Sequence, residues 1–267
     1  MPHGLHVEER ARLDADGYLV RHGVLSAHEV RSLRDAVETV STTITGRATR
    51  AEARQPDLMA DGHRIQLSSY TVIQWEWREG SRQIRLCEPC EHLHPAFAEL
   101  FADDRFTEPA AGALDVARVH LFTTKLNLKR AAEGSEFPWH QDFPYWYVSV
   151  DRAAADVITA VVFLDDARAE NGALRVLPGS HVGGPAIRDP HDPTRFLADV
   201  SRLPVEREVV VEVPAGSVVW FGPYLVHRSS PNTTGGHRRA LLPSYQPVGR
   251  PRLQAVPRHP ERVEELP

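Results

Sequence analysis

The sequence has few cysteines, no long apolar run and no apolar segment at its start. Two cysteines occur among the 267 residues, too few to frame a disulfide-rich secreted domain. The longest clearly apolar stretch, residues 158–164, is far shorter than the roughly 20 residues of a membrane-spanning helix. The first residues, Met1-Pro2-His3-Gly4, lack the apolar core of a signal peptide. We therefore expect a cytoplasmic protein with no membrane partner.

The sequence also lacks an excess of positive charge. It contains 31 Lys and Arg against 36 Asp and Glu, which gives a formal net charge of -5. Binding to nucleic acids depends on strong positive charge facing the phosphates, so we expect no nucleic-acid partner. The hydrophobic fraction of 42% and the charged fraction of 25% are typical of a globular domain. We interpret residues 1–267 as a single domain.

The two cysteines, Cys87 and Cys90, have the CxxC spacing of redox and zinc sites. A second such pair is missing from the sequence, and no βαβ pattern surrounds this one. We interpret them as two ordinary thiols near the start of a helix.

The N-terminal part, to about residue 115, is predicted to be helical with one short strand at residues 18–20. A Ser-x-x-Glu capping box at Ser26 opens the first clear helix. Residues 41–62 are polar and rich in Thr, Arg and Asp, which predicts a mobile loop or lid. A second helical region is predicted over residues 95–101, where three apolar side chains have helical spacing.

From about residue 116 to residue 247 the sequence consists of short, β-branched segments separated by turn residues. Asn171-Gly172, Pro178-Gly179 and Pro214-Ala215-Gly216 are the clearest turns. Many short strands with regular turn signals are typical of a β-sandwich or barrel. The fold class is therefore mainly β with flanking helices. The predicted strands are residues 117–128, 147–150, 157–164, 172–176, 208–213, 217–221 and 239–245.

The most informative stretch places His140 and Asp142 at positions i and i+2. On an extended strand these side chains face the same side, so an imidazole nitrogen and a carboxylate oxygen can reach one ion. His227 is the candidate third ligand, because it follows a late strand that can return beside the one carrying His140. Two histidines and one carboxylate form the facial triad of non-haem Fe(II) oxygenases. The alternative is an exposed aspartate beside a histidine satisfied in the core.

Two adjacent arginines, Arg238 and Arg239, open the last strong predicted strand. A buried guanidinium pairs bidentately with a carboxylate, and a chelating 2-oxo acid needs such a partner for its far carboxylate. Neighbouring residues on a strand face opposite sides, so only one of the two arginines can be the partner of this carboxylate. A surface arginine is the alternative for either residue.

In their order and spacing, these motifs resemble the phytanoyl-CoA dioxygenase family of Fe(II)- and 2-oxoglutarate-dependent oxygenases, near its ectoine-hydroxylase branch. The resemblance extends from residue 16 to residue 245. It rests on Trp139-His140-Gln141-Asp142, on residues 170–174 leading into 178–181, and on an arginine eleven residues after the second histidine. It implies a double-stranded β-helix, a cupin-like jelly-roll of two facing sheets. It also implies Fe(II) as metal, 2-oxoglutarate as cosubstrate and O₂ as oxidant.

The resemblance further implies specific roles. His140, Asp142 and His227 match the iron ligands, and Arg238 matches the salt-bridge partner of the far carboxylate of 2-oxoglutarate. Ser229 matches a position that donates a hydrogen bond to the same carboxylate. Related halogenases have Gly or Ala in place of the metal carboxylate, so the presence of Asp142 favours hydroxylation.

Other matching positions concern the cosubstrate pocket and the substrate. Asn127 and Phe137 match cosubstrate-pocket positions of the ectoine-hydroxylase branch. Trp146 matches a substrate-side aromatic, and Tyr145 beside it is a second candidate. That branch carries an acidic residue and a Thr where this sequence has Pro144 and Tyr145, so ectoine is not the expected substrate.

The sequence therefore predicts a hydroxylase that oxidises an aliphatic C–H bond of a small metabolite or natural-product intermediate, with release of succinate and CO₂. We expect it to act as a monomer or homodimer on a small-molecule substrate. Two alternatives remain from the residues: a cupin-like isomerase or small-ligand binder without redox chemistry, and a non-catalytic interaction module.

Overall fold

The computed structural model describes residues 2–48, 57–58, 64–68, 70–77, 81–186, 188–191 and 196–253. Within these residues five α-helices flank two antiparallel sheets. The helices are α1 (Val7–Asp16), α2 (Ala27–Ala48), α3 (Pro95–Ala102), α4 (Asp104–Ala113) and α5 (Phe143–Val150). The strands are β1 (Tyr18–Arg21), β2 (Asp57–Leu58), β3 (Arg64–Ser68), β4 (Thr71–Trp75), β5 (Ile84–Glu88), β6 (Val119–Lys129), β7 (Phe137–His140), β8 (Ile158–Phe163), β9 (Leu174–Val176), β10 (Val209–Val211), β11 (Val218–Phe221), β12 (His227–Ser229) and β13 (Arg238–Pro247).

The larger sheet has nine strands in the order β1-β11-β8-β13-β6-β5-β4-β3-β2, and the smaller has four in the order β10-β9-β12-β7. One apolar cluster joins the two sheets, since it contains Val161 and Phe163 from β8 as well as Leu174 and Val176 from β9. The sheets therefore pack against each other across this cluster. The predicted class, mainly β with flanking helices, is confirmed.

The helices cover the other face of the large sheet. Val162 of β8, which points away from its neighbour Val161, belongs to a second core cluster with Val37 of α2 and Phe101 of α3. This alternation is what a strand buried on both faces requires. The predicted capping box is present, because the backbone N–H of Ser26 donates to the carboxylate of Glu29 at 2.8 Å. The N-terminal helices are thus fastened to the sheet by ordinary apolar packing.

The predicted loop over residues 41–62 is wrong in its first part. Helix α2 continues to Ala48, because Ile44 remains buried against the sheet and extends the apolar face by another turn. The hydroxyls of Thr39 and Thr43 donate to carbonyls one turn earlier, so these polar residues do not interrupt the helix. Residues 49–56 and 59–62 of the predicted loop lie outside the described part of the chain.

The secondary structure differs from the prediction in two further places. The first 115 residues contain strands β1 to β5 as well as helices, so this part is not essentially helical. The β3–β4 turn has no glycine or proline to mark it, and its strands are partly polar. Residues 147–150, predicted as a strand, end helix α5, which has Pro144 in its first turn, where proline is favoured.

The described helices include none that combines the length and apolar character needed to cross a membrane.

Candidate metal centre

Three side chains from separate elements meet between the sheets. His140 is the last residue of β7, Asp142 precedes helix α5, and His227 is the first residue of β12. Their ligand atoms all lie within 4.8 Å of one another. The strands pair with His140 directly opposite His227, which brings their ring centroids to 4.2 Å. The sequence prediction that these three residues converge agrees with this geometry.

The local reason for the convergence differs from the one predicted. Strand β7 ends at His140, and Asp142 has the helical backbone angles φ −72° and ψ −28°. The strand-to-helix turn, and not a shared strand face, therefore brings the carboxylate beside the imidazole.

Both imidazoles are oriented by backbone carbonyls two residues earlier in the chain. His140 Nδ1 lies 2.7 Å from the carbonyl oxygen of Pro138, and His227 Nδ1 lies 2.9 Å from that of Leu225. A carbonyl oxygen can only accept a hydrogen bond, so Nδ1 is the protonated donor in both rings. The other ring nitrogen, Nε2, then carries the lone pair that can bind a metal. Such carbonyl partners are the usual orienting contacts of metal-binding histidines.

The electrostatics of the three groups also suit a cation. Burial, followed by the neighbouring His227, lowers the pKa of His140 to about 3, and burial lowers the pKa of His227. Both rings are therefore neutral at physiological pH. Burial opposes ionisation of Asp142, but opposing interactions, the largest of them with the Lys125 ammonium, keep the pKa of this carboxyl below its usual value. Two neutral imidazoles and one carboxylate are the donor set that Fe(II) takes in a facial triad, so these residues fit that ion.

The metal centre opens into a cavity that extends to a buried guanidinium. Arg238 lies on the cavity wall, is 4% exposed, and its Nε has no hydrogen-bond partner in the described residues. Burial lowers the pKa of this group to about 10, so it is still a cation at neutral pH. An unpaired buried charge is costly, which makes Arg238 a ready partner for an anion.

The neighbouring Arg239 points away from this cavity. Its guanidinium pairs with both carboxylate oxygens of Asp165 at 2.7 and 2.8 Å, and with Glu38 of α2 at 3.0 Å. The sequence left open which of the two arginines faces the site. Because neighbouring strand residues point to opposite sides, Arg238 faces the cavity and Arg239 faces the helices.

The three predicted cosubstrate residues besides Arg238 lie on the same cavity wall. Asn127, Phe137 and Ser229 all line it. The Oδ1 atom of Asn127 is buried without a hydrogen-bond partner in the described chain. The guanidinium of Arg85 stacks on the Phe137 ring, with its central carbon 3.6 Å from the ring centroid.

The two predicted substrate residues lie beside the cavity and do not line it. Tyr145 meets the His140 ring edge-on with centroids 5.7 Å apart. Trp146 is 2% exposed and packs against Phe122 at 5.2 Å. Above the Trp146 ring, at 5.2 Å, sits the ammonium of Lys125.

Lys125 and Gln141 are site residues that the sequence reasoning missed. Lys125 lines the cavity, and its Nζ is 3.5 Å from Oδ1 of Asp142. Lys125 lies two residues before Asn127 on β6, so both side chains face the same side of the strand. This two-residue spacing was the sequence signal that could have identified Lys125 as a cavity residue. The side chain of Gln141 makes three backbone hydrogen bonds, and no sequence pattern marks such contacts.

The two cysteines are unrelated to the metal centre. Cys87 and Cys90 are free and fully buried, and burial raises the pKa of Cys87 to about 12. A buried thiol of this kind is inert, which agrees with the interpretation of both as ordinary residues.

Comparison with known proteins adds to this geometry. A family model described as phytanoyl-CoA dioxygenase matches residues 13–240. L-proline trans-4-hydroxylase of Streptomyces griseoviridis is 28% identical over 274 residues, covering 96% of this chain and 90% of the relative. An ectoine dioxygenase of Stutzerimonas stutzeri is 25% identical over 253 residues, covering 89% of this chain and 75% of the relative.

Among solved structures, this fold is similar to that of EctD from S. alaskensis with 2-oxoglutarate and 5-hydroxyectoine. The TM-score is 0.69 at 26% identity, and the match covers 91% of this chain and 77% of the other.

Proposed function

The chain belongs to the phytanoyl-CoA dioxygenase family and is an Fe(II)- and 2-oxoglutarate-dependent dioxygenase, and we propose that it hydroxylates an aliphatic C–H bond of a small free acid of the amino-acid or imino-acid class. The observation that carries the proposal is one cavity lined by the His140, Asp142 and His227 cluster, by Arg238 and by a second cation, Lys125. The two facing sheets have the arrangement expected of a double-stranded β-helix, which we propose as the fold family.

The roles follow from the positions of the side chains. His140, Asp142 and His227 would hold Fe(II), which together with 2-oxoglutarate and O₂ supplies the oxidising chemistry when bound. Arg238 would pair with the far carboxylate of 2-oxoglutarate, since it is buried and lacks a hydrogen-bond partner at Nε. Asn127 and Ser229 offer further polar atoms along the same wall. The apolar lining, which includes Phe163 and Phe221, excludes water from the reacting centre.

Lys125 supports the proposed substrate class. Its side chain is 15% exposed, lies on the cavity wall, and is 3.5 Å from the candidate metal ligand Asp142. An ammonium in this position attracts a carboxylate and would hold it close to the metal. The names of two relatives point the same way, since L-proline and ectoine are both small molecules with a carboxylate. Free L-proline and related imino acids are the first substrates to test.

An optical titration tests the metal and cosubstrate roles. We expect anaerobic addition of Fe(II) and 2-oxoglutarate to give a weak visible charge-transfer band, because a chelated 2-oxo acid on ferrous iron absorbs there. The His227→Ala variant should lose the band together with its iron. A colourless wild-type complex would reject the proposed roles and favour a binder or an isomerase.

A substrate panel tests the class of substrate. Free amino and imino acids, their amides and their decarboxylated amines are assayed for substrate-dependent release of succinate. We expect acids to be turned over and the matched amides and amines to fail. In Lys125→Met the KM for the acid should rise roughly 10- to 100-fold, the usual effect of losing one charge-assisted contact. Equal turnover of acids and amides would contradict the proposal.

A further inference from the structure

We propose that Gln141, which stands between two candidate metal ligands, is a positioning residue that holds the substrate side of the site against the metal centre. Gln141 is 2% exposed and does not line the cavity, whereas its neighbours His140 and Asp142 do. The inference rests on the proposed function only for its effect on substrate. The structural part of it does not depend on what the substrate is.

The carboxamide of Gln141 ties together three stretches of backbone. Its Nε2 donates to the carbonyl of Gly184 at 3.0 Å and to that of Tyr224 at 2.5 Å, while its Oε1 accepts from the N–H of Ala186 at 2.7 Å. Tyr224 lies three residues before the ligand His227. One side chain therefore connects the turn carrying His140 and Asp142, the approach to His227, and the chain after β9.

The chain after β9 continues into a small addition to the sheet edge. Residues 188–191 and 196–198, the outer segments, run antiparallel, with Arg188 opposite Ala198. Leu197 forms a bridge with His140 itself, and the N–H of Ala198 donates to the carbonyl of Trp139 at 3.0 Å. The outer segments thus extend the four-stranded sheet beyond β7, directly beside a candidate metal ligand.

Phe196 carries the contact from the outer segments towards the metal centre. Its ring meets Tyr145 edge-on at 5.3 Å, and Tyr145 in turn meets the His140 ring edge-on at 5.7 Å. Phe196 is 3% exposed and has a positive φ of 55°, a conformation that is unfavourable for an aromatic residue. Such backbone strain persists where the surrounding structure holds it, often at functional sites.

These contacts divide the site into two ends with different supports. Gln141, Tyr145 and Phe196 brace the flank beside the His140 ring. Arg238 is held separately on strand β13, in register with Lys129 of β6. Loss of the Gln141 contacts should therefore disturb substrate binding while leaving the binding of 2-oxoglutarate nearly unchanged.

Hydrogen exchange and kinetics on Gln141→Leu and Gln141→Glu test the proposal. Leucine removes all three bonds, whereas glutamate keeps the acceptor for Ala186 and loses both donors. We expect the amides of Asp189 and Ala198 to exchange at least about tenfold faster in both variants, because glutamate would place a buried carboxyl oxygen against the carbonyl oxygens of Gly184 and Tyr224. For L-proline, or the best acid of the panel, KM should rise about tenfold in Gln141→Leu while the KM for 2-oxoglutarate changes less than about twofold.

Gln246→Leu is the matched control, because Gln246 is 1% exposed and its carboxamide also donates to two backbone carbonyls, those of Arg250 and Pro251. It should lose stability without changing exchange at Asp189 and Ala198. Unchanged exchange at these amides in both Gln141 variants would overturn the proposal. So would a parallel rise in both KM values, which would mark general damage to the metal ligands. The exchange measurement needs no substrate, so it stands even if the proposed substrate class is wrong.

Discussion

At the scale of single residues, strand alternation gives two adjacent arginines, Arg238 and Arg239, different surroundings. Arg239 is enclosed by Asp165 and Glu38 on the helix side of the sheet. Arg238, one residue earlier, is buried in the cavity without an ion-pair partner in the described residues. The same kind of side chain thus pairs with carboxylates of the protein at position 239, whereas at position 238 it is the proposed partner of 2-oxoglutarate.

Replacement of Arg238 by alanine should raise the KM for 2-oxoglutarate by about 100-fold. Removing one partner of a buried ion pair costs about 3 kcal/mol, and each 1.4 kcal/mol is roughly a factor of ten. Succinate release at varied 2-oxoglutarate measures the effect. Arg239→Ala is the control, since it should lower stability and leave this KM within about twofold. An unchanged KM in Arg238→Ala would reject the assigned role.

Gly172 should tolerate alanine poorly. It has a φ of +86°, and an added Cβ would lie 2.5 Å from both Cδ of Lys129 and the carbonyl oxygen of Ser230. Lys129 cannot move away easily, because its Nζ donates to the carbonyls of Ser135 and Ser230. We expect Gly172→Ala to lower the free energy of unfolding by about 2 kcal/mol or more.

Gly23→Ala is the comparison for this glycine, because its φ is +63° and no atom lies within 4 Å of the added Cβ. Only the backbone cost of about 1 kcal/mol should remain there. Urea unfolding of both variants measures the difference, and equal losses would show that the contact with Lys129 contributes nothing.

At the scale of elements, helix α2 is fastened to the large sheet by ion pairs as well as by apolar packing. Asp165 pairs with Arg34 of α2 at 3.1 Å and with Arg239 of β13 at 2.7 Å. Glu38, one turn along the helix from Arg34, pairs with Arg130 and Arg239. This network lies immediately behind the strand that carries Arg238.

Asp165→Asn should destabilise the protein in a pH-dependent way. Burial opposes ionisation of Asp165, but the Arg239 and Arg34 contacts outweigh it and lower its pKa. A carboxyl whose pKa is lower in the folded state stabilises the fold above its unfolded pKa of about 3.9, and loses that contribution as the pH falls below it. We expect a loss of about 3 kcal/mol at pH 7.

The measurement is urea unfolding of both proteins at pH 7 and in steps below about pH 4. The wild type and Asp165→Asn should become more alike as the pH falls. A difference that stays constant with pH would show that the charge of Asp165 does not account for the loss.

The elements that the sequence predicted well are those whose signal is local. The capping box at Ser26, the helix over residues 95–101 and the long strands β6, β8 and β13 have such signals, and the structure confirms them. Helix α5 was missed because its aromatic and β-branched residues favour a strand, while Pro144 and packing against Phe122 favour the helix. The candidate metal ligands could be predicted because their residue types are distinctive, and the structure brings the three side chains together. Gln141 was missed because its partners, Gly184 and Tyr224, are far away in sequence.

At the scale of the whole molecule, buried basic side chains outnumber buried carboxyl groups around Phe137 in the described residues. Arg85, Lys129 and Arg238 are 3%, 1% and 4% exposed, and Glu76 is the nearby buried carboxylate, at 1%. Burial lowers the pKa of Lys129 well below its usual value, with Arg238 and Arg85 adding to the effect. The two buried guanidinium cations, Arg85 and Arg238, oppose folding through their like charge, and a bound dianion would offset this cost.

Ligand binding should therefore raise the thermal stability in a way that depends on the far carboxylate. With Ni(II) as an inert metal, 2-oxoglutarate at about 100 times its Kd should raise the Tm by about 5 °C. We expect 2-oxobutyrate, which lacks the far carboxylate, to give a clearly smaller shift at the same concentration. The difference between the two acids should vanish in Arg238→Ala. Equal shifts in the wild type would show that the buried cations do not recognise the second charge.

The carbonyls of Pro138 and Leu225 have a consequence for how the enzyme acquires iron. Because the polypeptide itself orients both imidazoles, we expect the protein to fold without a metal and to bind the ion afterwards. The metal ion in a purified sample would then depend on which ions were available to the folded protein in the cell or during purification. Batches contaminated with zinc or nickel should regain turnover after chelation and ferrous exchange, without any cycle of denaturation.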